Sequence, residues 1–259
     1  MSSLNPRLIL LLCVLASLQC AHAQYEVPDE VFQRTVLIRS GRQQATAFKF
    51  EEDGRVYLVT TRHFGKNLPL TKALLQVWHN QTWNELPTVR TLFPASKDVD
   101  LAIIETEERI AKHYAVAKST EVITTGQKVW FMGWCGPIQY PPEMRAAMQN
   151  LPKTQRPLFP EIPLEIHIGT VTVIEPVRPD AFEINSNRPY PLCIAGGPIV
   201  YWSPAHKDYE ILAIIARDVR NVERLEIEGK PTQEFVKSGI VKGYSIDLVV
   251  DTISDKPRS

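Results

Sequence analysis

Apolar and polar positions are arranged in short runs broken by turn residues. No long stretch keeps the three-to-four-residue spacing of an amphipathic helix. Runs rich in β-branched and aromatic residues predict strands at Thr35 to Ile38, Ala45 to Phe50, Val56 to Thr60, Leu74 to Trp78 and Leu101 to Glu105. After a junction near Ser119 to Gln127 they resume at Val129 to Met132, Ile166 to Ile174, Ile199 to Trp202 and Ile211 to Ala216. Between the second and third runs, Glu51-Glu52-Asp53-Gly54 has turn chemistry, so the pair reads as a hairpin. Helix is expected only in pieces, at Glu143 to Asn150 and at the C-terminal Ile246 to Ile253. Many short strands without long helices predict an all-β barrel or sandwich. There is no internal repeat.

Two segments interrupt the rhythm. Pro137 to Pro163 holds seven prolines, which lack the N–H that a strand interior uses, so it reads as an ordered loop. The polar run Asn221 to Gly239 reads the same way. Either could cover a groove or meet a partner; ordinary loop variation explains them as well.

Composition narrows the partners. Lys plus Arg and Asp plus Glu each total 29. That balance gives no electrostatic reason to expect nucleic acid or an anionic membrane as a partner. Met1 to Ala23 reads as a cleavable export signal, with Arg7, an apolar core from Leu8 to Leu18, and the small-residue end Ala21-His22-Ala23. A core that short does not cross a bilayer. The expected location is therefore secreted or periplasmic, with a cut after Ala23 and no membrane insertion of the mature chain. Loss of the signal removes Cys13 and Cys20, leaving Cys135 and Cys193 in an oxidising compartment. His79, His113, His167 and His206 are scattered without metal-ligand spacing, so no metal and no cofactor are expected. The five tryptophans read as core or cleft packing. Asn80-Gln81-Thr82 would matter as a glycosylation acceptor only in a eukaryotic host.

Three segments carry the chemistry. His63 follows the strand Val56 to Thr60; Asp98-Val99-Asp100 opens the run Leu101 to Glu105; Cys193-Ile194-Ala195-Gly196-Gly197-Pro198 leads into Ile199 to Trp202. Each alone is weak. A histidine after a strand is usually structural, and Gly-Gly-Pro fits any turn before a strand.

In this order they resemble bacterial trypsin-like serine peptidases of the HtrA type. Ala47 through Phe64 is similar to the family's segment ending in Thr-x-x-His. Asp100-Leu101-Ala102 resembles its Asp-Leu-Ala strand, and Ala195-Gly196-Gly197-Pro198 its Ser-Gly-Gly-Pro. Gly243 to Val249 is similar to the closing segment before a short terminal helix. The resemblance spans residues 31 to 253 and is specific at these four places.

It implies two antiparallel six-stranded β-barrels with a short C-terminal helix. Residues 24–122 would form the N-terminal barrel and residues 123–259 the C-terminal one, with no room for the peptide-binding PDZ domain of HtrA relatives. His63 takes the place of the general base and Asp100 that of the carboxylate orienting it; Asp98 competes for the latter role. The backbone amides of Cys193 and Ala195 take the place of the oxyanion hole. The loop after Val129 to Met132 packs beside that turn in the family, which implies a Cys135–Cys193 disulfide; two buried free thiols are the alternative.

The chain departs from the pattern twice. Ala195 stands where the resemblance places the nucleophilic serine, and Cys193 where it places a glycine. Alanine has no atom able to attack a carbonyl. The reading is therefore an exported serine peptidase homologue, catalytically inactive, that binds a peptide or protein ligand. Two others stay open: an active serine endopeptidase represented by a serine-to-alanine variant, and a structural partner domain with a filled cleft.

Overall fold

Asp53 and Gly54 both adopt left-handed φ, 50° and 70°. That pair of angles suits the tight turn whose twist matches a right-handed strand pair. It joins β2 (Gln43–Glu52) to β3 (Arg55–Thr60) in register from Glu52↔Arg55 to Phe48↔Val59. The structure is a computed structural model, and it describes residues 29–79, 82–109, 115–116, 123–134, 164–175, 181–187, 194–227 and 230–254. The segments expected to form the Met1 to Ala23 leader, the Cys135–Cys193 bridge, the Pro137 to Pro163 loop and the Glu143 to Asn150 helix lie outside the described residues.

β2 and β3 belong to a closed antiparallel barrel with β1 (Thr35–Ser40), β4 (Leu74–His79), β5 (Thr82–Leu92) and β6 (Ala102–Thr106). The order is β1-β2-β3-β6-β5-β4, and β4 pairs back onto β1. β5 does not stand out in the sequence because it carries Pro87 and mostly polar residues. Pairing on both sides with β4 and β6, and a bulge between Thr88 and Arg90, make it a strand.

A second closed barrel is built from β8 (Lys128–Trp134), β9 (Leu164–Ile174), β10 (Phe182–Ser186), β11 (Pro198–Ser203), β12 (Asp208–Ile227) and β13 (Lys230–Ser245). Its order is β11-β8-β9-β10-β13-β12, closed by the β11–β12 pairing. The short β7 (Ala115–Val116) adds in parallel to β12. The fold is thus the all-β double barrel that the resemblance implied, each barrel having six antiparallel strands.

One reading is corrected. Asn221 to Gly239, expected as a loop, lies mostly within the long arms of β12 and β13, paired from Asn221↔Val236 to Ile227↔Lys230. Among the described residues no third strand pairs with this ribbon. A two-stranded ribbon needs only backbone bonds between its arms, so the apolar alternation that signals a buried strand is not required there.

Three apolar clusters hold the molecule together. Ile38, Leu58, Phe64, Leu75 and Ile104 fill the first barrel, and Phe131, Phe182, Ile184, Ile199 and Val241 the second. The third joins Phe48, Tyr57, Val59, Leu101 and Ile103 of one barrel to Trp130, Met132, Val200 and Ile214 of the other. β3 is buried on both faces for this reason: Val56 and Leu58 alternate with Tyr57 and Val59, and both sides are covered.

Two helices seal the join. The helix α1 (Asp29–Arg34) supplies Val31 and the C-terminal helix, Ile246–Ile253, supplies Ile246 and Val249. The latter begins where Ser245 Oγ accepts the Asp247 amide at 3.2 Å. Hydrogen bonds also cross the join: Trp134 donates its amide to Thr46 Oγ1 at 2.8 Å and its indole N–H to the Thr35 carbonyl at 2.8 Å. Trp130 and Trp134 thus pack as expected, whereas Trp202 points outward and is 40% exposed. Among the described residues no helix is long and apolar enough to cross a membrane.

Candidate functional site

β3 ends at Thr60, and the chain turns at once into a single helical turn, α2 (Arg62–Gly65). This places His63 at the seam between the barrels. Arg62 fastens the turn to the segment preceding Asp100. Its guanidinium donates to the carbonyls of Val99 (2.8 Å), Pro94 (2.7 Å) and Ser96 (2.9 Å) and lies 5.1 Å over the Phe93 ring. Three carbonyls on one fixed fork hold that segment against α2.

Asp100 then grips His63 twice. Oδ1 accepts the His63 backbone N–H at 2.8 Å, and Oδ2 accepts the Nδ1–H at 2.7 Å. From the second barrel, the Tyr244 hydroxyl accepts the Asp100 backbone N–H at 2.9 Å. Both barrels therefore position the pair. Asp98 is exposed, its backbone amide turned to Ser96 Oγ at 3.3 Å.

With Nδ1 committed as a donor to the carboxylate, the neutral ring keeps its lone pair on Nε2. The imidazole is 62% exposed and the carboxylate 36%. The Asp100 hydrogen bond raises the His63 pKa above its ordinary value, against the opposing effect of burial. Burial would raise Asp100, but its bonds to the His63 ring and amide outweigh that and leave it lowered.

The signs follow from linkage. His63's contribution to stability is complete below its ordinary value of 6.5 and disappears as pH rises through the raised folded value. Asp100's is present above 3.8 and disappears as pH falls through the lowered one. The pair thus stabilises most between those two ordinary values. Asp100→Asn should bring the His63 titration, followed by imidazole NMR, down towards 6.5. An unshifted curve would show that the carboxylate does not set it.

Ala195 lies in a turn that abuts the same corner. Gly196 has φ +89°, open to glycine at little cost. A methyl group on it would lie 2.6 Å from the Thr46 carbonyl oxygen and 3.4 Å from Thr61 Cγ2. The turn is pinned by Gly196 N–H to Ile215 O (3.0 Å), Gly197 N–H to Ile194 O (3.0 Å) and Ile215 N–H to Gly197 O (2.8 Å). Ala195 is half-buried between these anchors. Thr61, whose methyl faces Gly196, has its hydroxyl 3.3 Å from His63 Nε2. The structure thus brings His63, Asp100 and the Ala195 turn to one seam; Cys193, expected beside them, lies outside the described residues.

Sequence reasoning passed over Arg62, Thr61 and Tyr244. It also passed over a second polar cluster, where buried Glu210 accepts from the Tyr201 hydroxyl and from His206 Nδ1 across the β11–β12 hairpin. The available signal was an acid inside an apolar strand, with a histidine four residues before it. Among the described residues no group of three or more His, Cys, Asp or Glu side chains could hold a metal ion.

Neither a protein-family model nor a curated protein sequence matches the chain. Solved structures do. Rv3671c from M. tuberculosis H37Rv, in the inactive form of a serine-to-alanine mutant, is similar at 13% identity and TM-score 0.52, over 100% of this chain and 98% of that one. Kallikrein-related peptidase 10 is similar at 13% identity and TM-score 0.51, over 86% of this chain and 96% of that one. At such identities the likeness establishes the fold, which is that of trypsin-like serine proteases.

Proposed function

We propose that this trypsin-like double barrel is an exported, non-cleaving protein that binds an extended peptide or a protein segment. The observation that carries the reading is Ala195. It follows Ile194 and precedes the Gly196-Gly197 turn beside His63, where the resemblance places the serine. Acyl transfer needs an oxygen or sulfur there to form the covalent intermediate, and a methyl group supplies neither. The His63–Asp100 pair then acts as a polar clasp at the seam rather than as a base with a proton to collect.

Binding remains open to the scaffold because an extended peptide can add to a sheet through main-chain bonds alone. β12 offers such a place next to the Ala195 turn. Its ladder with β13 passes from Ile215↔Gly243 to Arg217↔Lys242 and skips Ala216. A bulge leaves the skipped residue outside the ladder. We assign this bulged stretch of β12 as the strand-addition point.

The test uses the mature chain, a panel of labelled extended peptides and unfolded casein. Saturable binding with every peptide recovered intact by mass spectrometry is the expected result. Cleavage products that vanish in His63→Ala would instead establish an endopeptidase.

A further inference from the structure

A threonine at the start of a helical turn ordinarily turns its hydroxyl inward to cap a free amide. Thr61 occupies that position before α2, with extended φ and ψ of −85° and 147°, yet its side chain makes no capping bond. Of the two amides such a side chain can cap, those of His63 and Phe64, the first is taken: the His63 N–H goes to Asp100 Oδ1. The freed hydroxyl faces His63 Nε2 at 3.3 Å. Thr61 is itself 1% exposed, so no substrate carbonyl reaches its oxygen. Its methyl, on the other side, backs onto Gly196.

From this exchange of partners we infer that Thr61 is a positioning residue that occupies the basic nitrogen of His63 and forms, with Ala195, a second barrier to catalysis. The inference rests on the non-cleaving reading above. With Nδ1–H given to Asp100, Nε2 of the neutral ring has one lone pair, and the Thr61 O–H donates to it. A general base must present that same lone pair to the incoming nucleophile. Restoring serine at position 195 therefore sets two hydroxyls in competition for one acceptor.

The first measurement needs no activity. In the otherwise unaltered protein, Thr61→Val keeps the side-chain volume and removes the hydroxyl. The Nε2 nitrogen resonance of neutral His63 should move towards that of an unbonded lone pair, and Thr61→Ser should restore it. Thr61→Ala is the second variant in case the valine form does not fold. An unchanged resonance in the folded variant overturns the assignment.

The second measurement compares Ala195→Ser with Ala195→Ser/Thr61→Val in their rates of labelling by a fluorophosphonate. The double variant should react about three- to tenfold faster, the size expected for one net hydrogen bond. Equal rates would overturn the barrier. Turnover of peptide by the wild-type chain would sink the non-cleaving reading instead, while the nitrogen resonance still reports on Thr61.

Discussion

Gly197→Ala should strip the second barrel of much of its stability. A methyl group there would sit 1.8 Å from the Met132 carbonyl oxygen and 3.0 Å from that of Ile194. Neither atom is the loose end of a side chain. Met132 lies inside β8, in register with Ile166 of β9, and Ile194 belongs to the turn itself. Gly197 is held in place because its own carbonyl accepts the Ile215 N–H at 2.8 Å. Its φ is not among the left-handed ones, so the obstacle is volume alone.

Overpacking a core costs about 1–3 kcal/mol where neighbours can shift, and a backbone clash this close belongs at or beyond the upper end, about 3 kcal/mol. For a chain of this size that lowers Tm by about 6–12 °C. Thermal melts followed by circular dichroism would show it. A melt within a degree of wild type would mean that β8 and the Ala195 turn separate without cost, and that the turn is not held as rigidly as its bonds imply.

Glu210→Ala should be comparably damaging, for a different reason. The Glu210 side chain is 3% exposed, and it accepts from the Tyr201 hydroxyl, itself buried, and from His206 Nδ1. Alanine leaves the buried Tyr201 hydroxyl facing a void while the half-exposed His206 turns to solvent, and losing a hydrogen bond to a charged acceptor with its donor left buried costs about 1.5–3 kcal/mol. Burial works against ionisation of Glu210, but His206, Tyr201 and Ser203 together hold its carboxyl below the usual range. Burial and the Glu210 charge push Tyr201 the other way, well above the ordinary phenol value.

The Glu210 contribution is therefore present above its ordinary value of 4.5 and vanishes as pH falls through the lowered folded one. Urea unfolding should show a large deficit for Glu210→Ala near neutrality that narrows in acid. A deficit below about 1 kcal/mol at neutral pH would place the cluster among solvated surface pairs.

The two substitutions test separate supports of the same seam. Gly197 sets how closely the Ala195 turn lies against β8. Glu210 stiffens the β11–β12 hairpin, whose inner end carries Pro198↔Ile214 next to that turn. Loss of ligand binding in Gly197→Ala with retention in Glu210→Ala would tie recognition to the turn rather than to barrel stability.

Much of this architecture is written in local pattern. Continuous β-branched and aromatic runs at Val56 to Thr60 and Ile199 to Trp202 and turn chemistry at Asp53-Gly54 each act over a few residues. Composition therefore exposes them, and the helix Ile246–Ile253 has the bounds its pattern predicts. The order of His63, Asp100 and the Ala195 turn, and the missing heteroatom at 195, are also plain in the chain itself. β5 and the outer ribbon of β12 and β13 are not: β5 turns Leu86 inward together with the polar Thr88 and Thr91, which blurs its apolar face, and the ribbon is made strand by backbone pairing between its own arms.

The site's supports were hidden for a similar reason. Tyr244 meets Asp100 across 144 residues, Arg62 reaches carbonyls at 94, 96 and 99, and Thr61 loses a capping partner to a carboxylate 39 positions away. Such contacts join groups that no local period relates. Which lone pair the Thr61 hydroxyl faces is settled only when the fold brings Asp100 to the His63 amide and ring.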